Sequence, residues 1–319
     1  MRAAVNTVYG PPEVVTIQEV EKPIHKDNEV SIKVYATTVN RTDCGFRSVE
    51  YFIVRFFSGL LRPKNKTLGN EFAGVVEDIG KNVTSFKTGD KVFGYNDVNF
   101  GAHAEYMTIA ETDAITTMPD NLSYEQAAPI TEGGHYALSS IRAAKIKAGQ
   151  HVMVNGATGA IGSAAVQLLK HFGAIVTAVC STKNIELVKS LGADVIIDYT
   201  KQDFTTTLQK FDFVFDTVGK SSFGKCKPLL NQKGIYISTE LGKNSENVFL
   251  ALTTQLLGKK KVLFPIPTIN KDDVNFLKQL VVSNQFKPVI DRSYPLQQIV
   301  EAYKYVETGQ KTGNVIIII

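Results

Sequence analysis

The spacing of apolar and polar positions divides the chain into three stretches. In the first, Val30, Ile32 and Val34 alternate with Ser31, Lys33 and Tyr35, a period of two that predicts a half-buried strand. The segments EFAGVVEDIG, DKVFGY and HAEYMTIA read as further short strands set apart by Gly, Asn and Asp turn residues. Several short strands joined by turns predict a β-barrel or sandwich. Near Ser123 the period changes: Ser123 with Gln126 three residues later forms a capping-box start for a helix. Strand and helix then alternate. HVMVNG is a strand, and Ile161, Ala165, Leu168, Leu169 and Phe172 follow at helical spacing. AIVTAVC is a strand, NIELVKSLG a helix stopped by Gly192, and DVIIDY, FDFVFDTVG, GIYIST and KVLFPIP are four more strands. Such alternation predicts βαβ units around a parallel sheet.

The tail changes again. DDVNFLKQLVVSN and PLQQIVEAYKYVETG read as helices, and the run Val315 to Ile319 as a fully buried closing strand, being short and β-branched. The chain is therefore expected to return to its first domain, with residues 1–124 and 266–319 forming the β-rich domain and 125–265 the α/β domain. A further segment, YFIVRFFSGLLRPKNK, places Ile53, Phe56, Phe57 and Leu60 at helical spacing. It reads either as a helix packed on its own domain, which is the favoured reading, or as an apolar wall over a lipophilic substrate.

Composition narrows the class. The chain has 319 residues, 44% hydrophobic and 21% charged, enough for two cored domains of an ordinary globular protein. A net charge of +4 is too small to imply a nucleic-acid partner, and the run Lys259-Lys260-Lys261 reads as a solvated face. No apolar run reaches a membrane span of roughly 18 residues, and the first residues lack a signal-peptide pattern. Three scattered cysteines, Cys44, Cys180 and Cys226, suit a reducing compartment. The expectation is a cytoplasmic protein with neither a membrane nor a nucleic acid as partner.

The strongest chemical signal is the turn Ala157-Thr158-Gly159-Ala160-Ile161-Gly162 between a predicted strand and a predicted helix. Ala157, Gly159 and Gly162 fill the three positions of the dinucleotide fingerprint, and the flanking elements supply the context that the fingerprint needs. The absent side chain at Gly159 lets a pyrophosphate approach the backbone, Gly162 allows helix to pack on strand, and N–H groups at the helix start bind the anion. The next strand ends in Cys180-Ser181-Thr182-Lys183, without the carboxylate that usually holds an NAD ribose. Hydroxyls and an ammonium attract a 2′-phosphate instead, which selects NADP(H). Tyr199, ending the third strand, is placed to flank the adenosine.

The segments NGATGAIGSAAVQL, GADVIIDY, VFDTVG and LGNEFAGVVEDIG together resemble the medium-chain dehydrogenase/reductase superfamily, and within it the zinc-independent quinone oxidoreductase and 2-alkenal reductase branch. The resemblance implies an α/β fold: a Rossmann doubly wound parallel sheet plus a GroES-like β-barrel catalytic domain. Zinc members of the superfamily carry Cys and His where this chain has Asn40 and Asn70, and amides are poor zinc ligands, so no metal is expected. Cys44 is expected to be a buried structural thiol, and the five histidines to be solvated or packed. Zinc polarises a carbonyl as a Lewis acid. Without it, hydride transfer suits acceptors that delocalise charge, namely quinones and conjugated enones or enals.

The resemblance also suggests roles. Asn40 belongs at the nicotinamide and substrate pocket or is a strand-end amide. Tyr51 is a phenol donor or a packed loop aromatic. Tyr136 stands where relatives usually carry Thr, and either donates to substrate or plugs the site. Thr158, Asp216, Thr217 and Val218 line the nicotinamide, and Asn314 closes over it or serves a hairpin turn. Two other functions stay open: an enoyl-thioester reductase, and a non-catalytic NADPH-dependent protein with a nucleic-acid-binding or structural role. KVLFPIP, at the expected edge of the parallel sheet, suggests a homodimer.

Overall fold

The computed structural model describes residues 1–50, 54–257 and 259–319. It divides into two units: Met1–Glu132 with Ile269–Val282 and Pro288–Ile319, and Gly133–Thr268 with Ser283–Lys287. Residues 125–132 stay with the first unit because the backbone N–H groups of Thr131 and Glu132 bind the Glu71 carboxylate there. Residues 283–287 go with the second because the Gln167 amide brackets the backbone of Lys287, accepting from its N–H and donating to its carbonyl.

The first unit is built around the eleven-residue strand Glu29–Val39. This strand pairs antiparallel with Glu71–Ile79, Tyr106–Ala110 and Asn314–Ile318. Lys91–Tyr95, Ile115–Thr117 and Ile290–Pro295 complete a seven-stranded sheet. The predicted alternation appears as Val30, Ile32 and Val34 turned into a core with Phe72, Val92 and Ile109, while Lys33 and Tyr35 are exposed. Ser31 departs from it and is buried, flanked by Asp78 and Thr108 on the two neighbouring strands.

The closing strand also departs in part from its expected full burial. Val315, Ile316 and Ile317 are inaccessible, but Ile318 is 42% exposed. Val315 and Ile317 pack with Val39, Leu296 and Tyr303, whereas the strand period turns Ile318 to the opposite face of the sheet.

The stripe from Ile53 to Leu60 does not form a packed helix among the described residues; Ile53 itself lies outside them. The helix there is Arg55–Ser58, and Gly59, at φ +118°, ends it. Phe56, Phe57 and Leu60 are mostly exposed, which overturns the favoured reading of a helix packed on its own domain.

The second unit is a six-stranded parallel sheet in the order Val195–Asp198, Ile175–Cys180, His151–Asn155, Phe211–Asp216, Leu230–Ser238, Lys261–Leu263. By the unit's own strand numbers this is 3-2-1-4-5-6, the doubly wound order in which a dinucleotide lies across the carboxyl ends of the strands. Val152, Val154, Val176, Ala178, Phe213 and Phe215 are fully buried. Cover on both faces explains why these strands read as apolar runs rather than alternations. No helix among the described residues is long and apolar enough to cross a membrane.

Candidate active site

In the second unit the strand His151–Asn155 feeds the helix Ala160–His171 through the predicted turn. Gly156 sits at φ +81°, where a Cβ would strike the side chain of Val218. A Cβ on Gly162 would collide with the Gly156 carbonyl, so helix and turn pack backbone to backbone. Gly159 differs: a Cβ there meets nothing nearer than the Gly156 oxygen at 3.8 Å. Gly159 is the N-cap residue, and no side chain caps the helix. An uncapped twelve-residue helix with open space over its first N–H groups fits a pyrophosphate. Thr158 and Ile161 beside it are half-buried, whereas Ala157 and Ala160 are buried.

At the end of Ile175–Cys180, Ser181 is half-buried, and Lys183 and Tyr199 are exposed. Thr182 turns its hydroxyl onto Asp198, 2.5 Å away, and lies 2.8 Å from Thr200. Asp198 also accepts from the Thr200 N–H and hydroxyl, and these hydrogen bonds hold its carboxyl below the usual range. Asp198, on the neighbouring strand, is thus engaged by Thr182 and Thr200, with the Lys201 ammonium 3.8 Å away.

Asp216 is fully buried. It accepts from Asn155 Nδ2 at 3.0 Å and the Ser221 N–H at 2.9 Å, which shapes the loop that follows. Thr217 donates to the carbonyls of Asn155 and Gly156, leaving Val218 as the outward member of the trio.

The first unit holds a buried polar cluster. Asn40 caps the helix Arg41–Ser48: its Oδ1 accepts from the Asp43 N–H at 3.0 Å. Its Nδ2 donates to Asn70 Oδ1 at 2.7 Å. Asn70 Nδ2 in turn donates to the Tyr95 hydroxyl at 3.2 Å and to Glu132 Oε2 at 3.4 Å. Thr42 reaches Glu132 Oε1 at 2.7 Å. Glu71 accepts from Thr38, from the Thr131 N–H and hydroxyl, and from the Glu132 N–H. Burial pushes the carboxyls of Asp43 and Glu71 up to about 7; burial and then the charge of Glu71 push Glu132 up to about 8. Lys311 donates to the Gly313 carbonyl, and burial lowers its ammonium against the pull of Glu132, Cys44 and Glu71.

This cluster does not fit zinc. Both amide oxygens are committed, Asn40 Oδ1 to a backbone N–H and Asn70 Oδ1 to Asn40. Among the described residues, no three His, Cys, Asp or Glu side chains form a group able to hold a metal ion. His103 is packed on the Thr38 carbonyl at 2.7 Å. Cys44 is buried, and desolvation pushes its thiol up to about 12.

Of the other predicted site residues, Tyr136 lies half-buried in the second unit with its ring against His135. Asn314 opens the closing strand, and its Nδ2 donates to the Val289 carbonyl at 2.9 Å; the strand that it opens runs parallel to its neighbour, so this is not a hairpin turn. Tyr51 lies outside the described residues. Sequence reading missed Glu71, Tyr95, Glu132, Lys311 and Asp198.

Comparisons with known proteins place this architecture. Residues 26–120 match the model of an alcohol dehydrogenase GroES-like domain, and residues 191–317 that of a zinc-binding dehydrogenase. The chain is 33% identical to 2-methylene-furan-3-one reductase of Solanum lycopersicum, over 99% of this chain and 79% of that protein. It is 31% identical to the NADPH-dependent alkenal/one oxidoreductase, chloroplastic, of Arabidopsis thaliana, with the same coverage. The structure of the quinone oxidoreductase from Coxiella burnetii superposes with a TM-score of 0.89 at 27% identity, covering 100% of this chain and 99% of that one. The chain belongs to the medium-chain dehydrogenase/reductase superfamily, in the branch of quinone oxidoreductases and alkenal reductases. It is an oxidoreductase with a Rossmann unit for a nicotinamide cofactor and a GroES-like unit.

Proposed function

We propose that the enzyme passes hydride from NADPH to a quinone or to the C=C bond of a conjugated enone or enal, without zinc. The observation that carries this reading is the Asn40–Asn70 amide pair, both of whose oxygens are already bonded. These amides offer no Lewis acid to polarise a simple ketone. The acceptor must then spread the incoming charge by conjugation, and the protein supplies orientation and hydrogen-bond donors. The bound reduced nicotinamide supplies the hydride. The turn Ala157–Gly162 holds its pyrophosphate, and Ser181 and Lys183 favour the 2′-phosphate. The names of the tomato and Arabidopsis relatives support the same acceptor class.

The partner is a small apolar conjugated molecule, and the enzyme works as a homodimer. Support for the dimer comes from the helix Glu246–Leu257, which exposes Phe249, Leu252 and Leu256 in the unit whose sheet ends at Lys261–Leu263. Covering that edge would bury apolar side chains and pair the strand. Three buried free cysteines support a reducing compartment such as the cytoplasm.

The test follows the absorbance of NADPH or NADH with a quinone, an enal, an enone, a simple aldehyde and an enoyl thioester, with and without chelator. Oxidation of NADPH by the conjugated acceptors, unchanged by chelator, is expected. Chelator-sensitive reduction of the aldehyde would overturn the zinc-free reading. Activity confined to the thioester would replace it with enoyl-thioester reduction. A monomeric mass in light scattering would reject the dimer.

A further inference from the structure

Glu132 has no part in the reading above, yet it is a buried acid at the end of an ordered hydrogen-bond chain in the first unit. It lies in the first turn of the helix Thr131–Ala144 and is 3% exposed. The polarity of its surroundings is fixed from a backbone group outward. The Asp43 N–H can only donate, so it sets Asn40 Oδ1 as acceptor. Asn40 Nδ2 then donates to Asn70 Oδ1, and Asn70 Nδ2 to Glu132 Oε2. Oε2 is therefore an acceptor. The hydroxyl of half-buried Thr42 donates to the ionised Oε1 at 2.7 Å; when the carboxyl is protonated its proton goes on Oε1, and this same contact then runs from Glu132 to Thr42 Oγ.

The neighbouring Glu71 differs in kind. Four donors converge on it: the Thr38 hydroxyl, the Thr131 N–H and hydroxyl, and the Glu132 N–H. Hydrogen bonds to a carboxylate favour its charged form, so of the two buried acids Glu71 loses its proton first as pH rises and Glu132 keeps its own longer. Burial and the charges of Glu71 and Asp43 raise Glu132, hydrogen bonds from Thr42 and Tyr95 oppose them, and Lys311 is the cation facing the pair.

We propose that Glu132 is a proton store that delivers through the Thr42 hydroxyl to a conjugated substrate, which makes reduction of C=C the chemistry this cluster serves. The proposal rests on the reading that the enzyme reduces conjugated acceptors. The β-carbon receives hydride with its electron pair, and the C=C π pair moves onto the α-carbon and carbonyl oxygen as an enolate. Thr42 gives its hydroxyl proton to the α-carbon while Glu132 Oε1 gives its proton to Thr42 Oγ. Glu132 is left as a carboxylate and takes a proton back from water. A quinone needs this relay less, because a hydroquinone anion takes its proton on oxygen, directly from water. Glu132 acts through Thr42 and is a positioning residue in this scheme.

Two readouts test it. The wild-type minus Glu132→Gln infrared difference spectrum, taken without cofactor, should show at neutral pH one carboxylic acid carbonyl band beyond those of Asp43 and Glu71, and this band should be lost as pH rises through about 8. In turnover, Glu132→Gln and Thr42→Val should lower enone reduction relative to quinone reduction by roughly tenfold or more, the low end of the range for general acid catalysis being about 10². Thr42→Ser, which keeps the hydroxyl, should restore the ratio. The wild-type enone rate should fall as pH rises past about 8, and the Gln variant should lose that limb. A wild-type minus Glu132→Gln spectrum with no acid band, or equal losses with both acceptors, would overturn the proposal. A wild-type enzyme that reduces no conjugated acceptor overturns the functional reading and this proposal together; an active one with an unchanged ratio overturns only this one.

Discussion

Replacing Gly159 by Ala should separate cofactor binding from folding. Gly159 has φ −71° and ψ 174°, extended backbone that alanine adopts freely. A Cβ there lies 3.8 Å from the Gly156 oxygen and touches nothing else within 4 Å. The variant should therefore fold at least as well as the wild type, with a gain of about 0.4–1 kcal/mol from the reduced freedom of the unfolded chain. The same methyl fills the space through which a pyrophosphate reaches the uncapped helix start. Losing one charge-assisted hydrogen bond there costs about 1.5–3 kcal/mol, roughly ten- to a hundredfold in Kd for NADPH.

Gly162→Ala is the contrast. Its Cβ would strike the Gly156 oxygen and lie 2.8 Å from the Gly156 carbonyl carbon and 2.9 Å from Ala157 Cα. Carbon atoms settle at about 3.5 Å or more. Helix and turn must therefore part, overpacking costs about 1–3 kcal/mol, and stability and binding fall together. Titration of nucleotide fluorescence gives Kd, and urea unfolding gives stability. Unchanged NADPH affinity in Gly159→Ala, or a loss of stability as large as the loss of binding, would refute the assignment of this turn.

Burial and nearby groups give further expected outcomes. His103 is buried and held neutral, its pKa lowered to about 4 from 6.5, with desolvation the cause. The unfolded chain takes up this proton below about 6.5 and the folded protein only near 4, so this group removes stability as pH falls across that window. The gap corresponds to about 3 kcal/mol. The raised carboxyls of Asp43, Glu71 and Glu132 act oppositely: the folded protein keeps their protons to about 7 or 8, so they remove stability as pH rises through the weakly acidic range. Urea unfolding of wild type and His103→Gln at pH 7 and pH 4.5 should therefore show the wild-type advantage shrinking at the lower pH, and a constant difference would contradict the burial argument. Lys183→Glu should raise KM for NADPH at least about tenfold, the equivalent of one lost charged hydrogen bond, and leave NADH nearly unaffected; equal effects on both cofactors would remove Lys183 from the 2′-phosphate site.

The elements were legible in the sequence where one residue's period decided its fate. Val30, Ile32 and Val34 announce their strand, the Ser123–Gln126 pair its cap, and Gly192, at φ +98°, its helix end. The phosphate turn was equally legible because its parts are contiguous. The polar cluster was not. Asn40 and Asn70 stood out by resemblance, but Tyr95, Glu132 and Lys311 come from distant segments, and only strand pairing and helix placement bring them to that pair. A signal existed for Glu132: a lone acid in the apolar start of a helix, next to Thr131. Asp198 was hidden differently, since its relevance depends on which strand neighbours Ile175–Cys180. Phe56 and Phe57 show the reverse error, because helical spacing says nothing about whether a neighbour exists to cover the stripe.

The central claim is hydride transfer to conjugated carbon rather than to a carbonyl. NADPH deuterated at the reactive C4 position, incubated with the chelator-treated enzyme and an enone, tests it most directly by mass spectrometry and NMR of the product. Deuterium at the β-carbon of a saturated ketone is the predicted result. Deuterium on the carbinol carbon of an allylic alcohol would contradict the account and return the enzyme to carbonyl chemistry.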